Sequence, residues 1–223
     1  MEASGIGSLL PAEPTLEDAG NDQVVLDLML KAREKLQEAF DLSQTDGWDS
    51  VKEGKGISLW KKKESDSNIN ILKRSMEVNA SIEKVLEFYR DPEGLMKVND
   101  KVKANEIVVD INENTKIMRR EIKGNLVVSN RDLSILWHQI TLTDGSVAIV
   151  MFSIEHDKVP ETKCVRASLD IGLLHLSKVS DTSTDLLSVL RLNPKGSVPA
   201  MLVNKMSKKQ YDEFEAVKKL MEA

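Results

Sequence analysis

The stretch NPKGSVPAMLVNKMSKKQYDEFEAVKKLMEA, residues 193–223, decides how the rest of the chain is read. A turn carrying Pro194 and Gly196 leads into a long two-faced helix. Val203, Met206, Phe214, Val217 and Met221 recur on one side of it, interrupted by the polar Gln210. Such a stripe either packs on a core or closes a space. Each large apolar side chain contributes ~1.5–3 kcal/mol when fully buried, so the helix sits firmly on whatever the preceding residues build.

Those residues read mainly as strands. GISLWKKK (56–63) and INILKRSMEV (69–78) have strand composition around a polar loop at 64–68. EGKGIS (53–58) reads as a turn between a helix end and a strand. EIVVDINENTKIMRREI reads as two strands around NENT, and DLSILWHQITLTDGSVAIVMFSIEH as a hairpin with Asp144-Gly145 at its tip. In CVRASLDIGLL the alternation puts Val165, Ala167, Leu169 and Ile171 on one face and Arg166, Ser168 and Asp170 on the other. TDLLSVLRLN is a further strand. Two more helices are expected. QVVLDLMLKAREKLQEAFDL (23–42) carries Val25, Leu28, Met29, Ala32, Leu36, Ala39 and Phe40 at helical spacing, and SIEKVLEFYRD starts at the N-cap Ser81 and ends before Pro92. Helix, strands, helix, more strands and a long terminal helix argue an α+β fold. Its antiparallel sheet must bury one face, and the terminal helix is the lid for that face. Residues 1–22 are small, acidic and Pro/Gly-containing and read as a disordered lead; residues 23–223 form one domain.

Composition removes several function classes. A net charge of −5 speaks against a nucleic-acid binder. The single Cys164 forbids an internal disulfide and fits a reducing, cytoplasmic setting. The N-terminal residues lack a secretory signal, and no apolar run is long enough to span a bilayer. Phosphate-loop, dinucleotide and nucleophile-elbow motifs are absent, and His138, His156 and His175 lack metal spacing, so no catalytic residue, metal or cofactor is expected. His138 lies on the strand face opposite Trp137 and reads as a packing or surface residue. Arg166 and Asp170 share a strand face, which is either solvated or a polar station within a cavity, where a charge needs a partner. Met118, Met151, Met201 and Met206 suit both an ordinary core and a surface accepting an irregular apolar guest.

GNLVVSNRDLSILW, then VRA, then NPKGSVPAMLVN, with GW…KEGKGISLWKK upstream, occur in an order and spacing that resemble the START (steroidogenic acute regulatory protein-related lipid transfer) family over about residues 45–222. The resemblance implies a helix-grip fold, in which a curved antiparallel sheet wraps a long C-terminal helix and encloses an apolar tunnel for one lipid. The implied tunnel lining is Leu133, Ile135, Trp137, Met151 and Arg166 from the sheet and Met201, Val203, Met206, Gln210, Phe214 and Val217 from the helix region. The loop before Arg131-Asp132 corresponds to the family's first omega loop. Its apolar tip, Leu126, Val127 and Val128, either inserts into a bilayer surface or folds back on the lid helix; the two are compatible as open and closed states. Many relatives carry an arginine anchor six residues after the Arg of the Arg-Asp pair. Trp137 stands there instead, so an ion pair of that kind is not expected at this position.

The function so implied is non-enzymatic. The protein binds one phospholipid, sterol or fatty-acyl compound and transfers or presents it between membranes, as a monomer with transient membrane contact and no nucleic-acid partner. Two alternatives stay open. One is an enzyme of the same grip fold acting on an apolar substrate through Arg166, Asp170 and His138; the other is a lipid-sensing module for a protein partner, with residues 1–45 as a docking arm.

Overall fold

A computed structural model describes residues 6–63, 70–125, 127–196, 198 and 200–223, without the side chains of 200–207. The 64–68 loop and Leu126 lie outside these residues, as do the side chains of Met201, Val203 and Met206. Ten strands form one sheet: β1 (Asp49–Gly54), β2 (Ile57–Lys63), β3 (Asn70–Val78), β4 (Val102–Asn112), β5 (Thr115–Ile122), β6 (Arg131–Thr141), β7 (Val147–Ser153), β8 (Val165–Arg166), β9 (Ser168–Ser180) and β10 (Ser183–Asn193). Their order is β1-β2-β3-β10-β9-β7-β6-β5-β4, antiparallel throughout, and the short β8 runs parallel beside β6. The helices are α1 (Gln23–Gln44), α2 (Ile82–Arg90), α3 (Gly94–Val98) and α4 (Ala200–Met221). No helix among the described residues is long and apolar enough to cross a membrane.

The sheet is curved and buried on both faces. β6 shows why: Leu133, Ile135 and Trp137 join the cluster that contains Phe214 and Val217 of α4, while Leu136 and Ile140 alternate into the cluster that contains Ala32 and Leu36 of α1. Helix α4 therefore lies in the grip of the inner face, and α1, capped by Asp22, covers the outer one. The terminal helix is tied down along its second half. The Tyr211 hydroxyl donates to Gly54 O at 2.7 Å, and Lys84 Nζ donates to Met221 O at 2.7 Å.

Three expectations need correction. Residues 53–58 do not join a helix to a strand. They close the β1–β2 hairpin, with Lys55 and Gly56 both at positive φ (56° and 70°), as the favoured two-residue turns require. Residues 6–22 are not a disordered lead. Ile6 is completely buried in the outer core, Leu9 O accepts from Thr143 N at 2.9 Å, and Arg33 donates to Pro11 O and Ala12 O at 2.7 and 3.2 Å. The sparse polar composition of this segment concealed how few apolar anchors suffice when a sheet face and a helix are already there. The third correction concerns strand phase. β9 pairs Ile171 with Arg191 and Leu169 with Leu192, so Asp170 is an extra residue. This bulge puts Leu169 inside and Ile171 outside, where simple alternation had them together.

Candidate functional site

Between the inner face and α4 lies a cavity of about 130 Å³. Met118, Leu133, Trp137, Met151 and Leu169 supply its apolar wall from the sheet, Phe88 and Leu95 from α2 and α3. It shares Asn99, Val102, Ile122, Leu192 and Gln210 with a second space of about 210 Å³ that opens beneath the 123–131 loop. The two form an inner chamber and a mouth.

The chamber is polar at one end. Arg74 projects from β3 in phase with Leu72 and Met76, hence inward. Its Nη1 donates to Glu213 Oε1 at 3.1 Å and to Gln210 O at 3.2 Å, its Nη2 donates to Ser188 Oγ at 3.0 Å, and its guanidinium lies 4.0 Å from the Phe214 ring centre. Glu213 Oε2 accepts from Asn99 Nδ2 at 2.7 Å. On β5, Arg120 follows Met118 by two residues and also faces inward; its Nε donates to Asn105 Oδ1 at 2.9 Å. Burial pulls the Arg120 guanidinium below its ordinary pKa and pushes the Tyr89 phenol above its own. Among the described residues, the buried Tyr89 hydroxyl and Arg74 Nε have no hydrogen-bond partner.

The mouth is built around Arg131. Its guanidinium donates to Ser129 O, Pro194 O and Lys195 O, lacing the omega loop to the segment that leads into α4. Within the loop, Asn125 Oδ1 accepts from Val127 N and Val128 N at 2.9 and 3.0 Å. Gly124 is required for this close fold, since a Cβ there would stand 1.9 Å from Val128 O.

A family model for the START domain matches residues 30–222. The chain belongs to the START domain family. Its curved antiparallel sheet with a C-terminal helix recurs in solved structures. Human StAR-related lipid transfer protein 5 superposes with a TM-score of 0.77 at 19% identity, over 86% of this chain and 95% of that one. Human STARD10 gives 0.70 at 20% identity, over 93% of this chain and 81% of that one. At these identities the likeness shows the fold. In sequence, ceramide transfer protein of Xenopus laevis is 32% identical over 74 residues, which are 28% of this chain and only 12% of that protein.

In this START domain, Leu133, Trp137, Met151 and Gln210 border the chamber, and Gln210 also borders the mouth. Ile135, Phe214 and Val217 lie in the same inner core. Arg166 does not line the cavity. It sits on β8 beside β6 and holds the fully buried Asp132 with two parallel bonds, Nε–Oδ1 2.9 Å and Nη2–Oδ2 3.1 Å. The family resemblance implied a place for Arg166 in the lining, but Ala167 and Leu169 face the inner core, so the strand alternation itself sets Arg166 on the other side. Asp170 accepts from Ser168 Oγ at 2.8 Å, and His138 faces the outer core with Nδ1 2.9 Å from Thr115 Oγ1. The three residues considered for catalysis thus do not converge, and no group of His, Cys, Asp and Glu among the described residues could hold a metal. At the loop tip, Val127 is 75% exposed while Val128 turns into the mouth.

Sequence reading missed Arg74, Asn105, Arg120 and Glu213. The signal was there for the two arginines: each shares the parity of apolar neighbours, Leu72 and Met76 for one, Met118 and Ile122 for the other.

Proposed function

We propose that this START domain binds one lipid molecule in the chamber and mouth, and moves or presents it between membranes without altering it. The observation that carries the reading is the adjacency of the two spaces, which share lining residues: a polar end for a headgroup, an apolar wall, and a space beneath a loop with an exposed apolar tip. Small-molecule sites usually occupy roughly 300–1,000 Å³. At about 130 and 210 Å³ the two spaces are small, so loading requires α4 and the omega loop to move apart. Transfer then needs only a gate and brief contact with a bilayer, here through Val127. The lipid class is a phospholipid, sterol or fatty-acyl compound. A monomer at the cytoplasmic face of membranes fits the single Cys164.

The test is to incubate the purified protein with mixed vesicles, re-isolate it, identify bound lipid by mass spectrometry, and follow transfer of that lipid to acceptor vesicles. Stoichiometric lipid and accelerated transfer support the reading. Protein that stays lipid-free and leaves transfer at its spontaneous rate overturns it.

A further inference from the structure

The polar end of the chamber is out of charge balance. Four charged side chains border the cavity: Arg74, Asp91, Arg120 and Glu213. Asp91 is neutralised at the rim by Lys97 at 2.8 Å, and Glu213 is used by Arg74 at 3.1 Å. Arg120 remains. Among the described residues its one hydrogen bond runs to the Asn105 side chain; the carboxylate near it is Glu213, which is already held by Arg74 and makes no hydrogen bond to Arg120. The orientation of Asn105 follows from its partners: Nδ2 donates to Pro92 O at 2.9 Å, which leaves Oδ1 for the guanidinium. A neutral amide therefore stands where a buried cation calls for an anion.

Arg120 is deep in the protein yet keeps accessible surface, because it borders the cavity. Beside the same space, Arg74 Nε and the Tyr89 hydroxyl are buried without acceptors. Unmet buried donors are costly, and a ligand that accepts from them recovers that cost. A guanidinium presents its donors as a planar fork that matches the two oxygens of a carboxylate or phosphate. A chamber of about 130 Å³ leaves room for a compact head and its first methylenes, not for a bulky one.

We infer that the chamber selects lipids with a compact oxyanion head, a carboxylate or a phosphate monoester, over neutral or ammonium-bearing heads. This rests on the reading that the cavity holds a lipid. Arg120 supplies the unbalanced positive charge, Tyr89 and Arg74 Nε supply neutral and charged donors, and Met118, Leu133 and Trp137 receive the start of the chain. An ammonium head would enter a site whose uncompensated charge has the same sign.

Matched pairs test the idea: oleic acid against oleyl alcohol, and oleoyl lysophosphatidic acid against monooleoylglycerol, titrated calorimetrically below their aggregation limits at neutral pH. The wild type should bind at least one acidic member about tenfold or more tighter than its neutral partner, as one charge-assisted bond pair allows; which pair responds tells carboxylate from phosphate. Arg120→Gln should bring the ratio to within about twofold, and Arg120→Lys should retain part of it. Asn105→Asp supplies the missing counter-charge internally and should also abolish the preference, which keeps the proposal open to failure if Arg120→Gln does not fold. Equal affinities for acid and neutral partner in the wild type overturn the charge selection while leaving lipid binding intact. A preference that survives both Arg120→Gln and Asn105→Asp overturns the assignment to Arg120. Binding of none of the four compounds overturns this inference, whereas the lipid-binding reading stands or falls separately on uptake from mixed vesicles.

Discussion

Arg74 of β3 and Glu213 of α4 meet at 3.1 Å across 139 residues of chain, with both side chains almost out of solvent. The pair joins the first half of the sheet to the terminal helix, and Asn99 and Ser188 add further hydrogen bonds to it. It forms the roof of the chamber and a latch on α4 at once. Removing one partner strands a buried charge, whereas replacing both by apolar groups does not.

Glu213→Ala should therefore cost about 3 kcal/mol or more, lowering the melting temperature by roughly 6 °C or more for a domain of this size. The double variant Arg74→Met/Glu213→Met should recover most of that loss. Thermal unfolding of the three proteins decides it: a single variant as stable as wild type means the pair is no latch.

Trp137 is 4% exposed and walls the chamber. Trp137→Ala should enlarge the cavity at a cost of about 3 kcal/mol, the low end of the range because the ring already borders open space. Binding should shift toward bulkier lipids. Unchanged ligand preference with an unchanged melting curve would show the indole to be idle.

Val127 stands out from the omega loop with its backbone held by Asn125. Val127→Glu should slow transfer from vesicles several-fold while changing stability by less than about 0.5 kcal/mol. Comparing transfer rates with lipid affinity in detergent-free solution separates membrane contact from binding; an unaffected rate excludes the tip from the exchange.

Burial lowers the pKa of His138 from 6.5 to about 4. Between those values the unfolded chain binds more protons than the folded one, so stability rises with pH there. Stability is full above the unfolded value and falls away as the pH drops toward 4, by up to about 3 kcal/mol from this residue. His175, also lowered by burial, acts in the same direction. Denaturant unfolding at pH 7 and pH 5 should show the loss, and His138→Gln should flatten it; an equally steep profile in the variant assigns the effect elsewhere.

Ile6 anchors the N-terminal segment on the outer face, in the cluster that holds Leu36 and Phe152. Ile6→Ala should cost about 2 kcal/mol or more, and deleting residues 1–22 should cost more, with exposure of the α1–sheet seam. A deletion that melts like the full chain would restore the view of this segment as a free arm.

The family motifs, the helix-grip order and the inward phase of β6 were all legible in the sequence, because β6 alternates without a break and its neighbours keep register. The phase of β9 was not, since one bulged residue, Asp170, inverts everything beyond it and leaves no mark on composition. Arg166 was placed in the lining by the family resemblance alone, although its strand phase already set it opposite Ala167 and Leu169. Trp137 was taken as the loss of a charged anchor. The chamber instead takes Arg74, Arg120 and Glu213 from β3, β5 and α4, three elements far apart in sequence whose convergence is a property of the curved sheet gripping its helix. Arginines flanked by apolar residues of matching parity were the overlooked clue.

The antiparallel pairing of β3 with β10, Met76 opposite Leu186, has a consequence for synthesis. The hairpins β1–β2–β3 leave the ribosome with one edge bare, and their permanent neighbour is translated about a hundred residues later. Until β10 emerges that edge of β3 stays unpaired, and the inner face of β3 stays bare until α4 follows. Long-range pairing of this kind slows folding and exposes an unpaired strand to other chains, so newly made protein should be more vulnerable to aggregation than the finished domain.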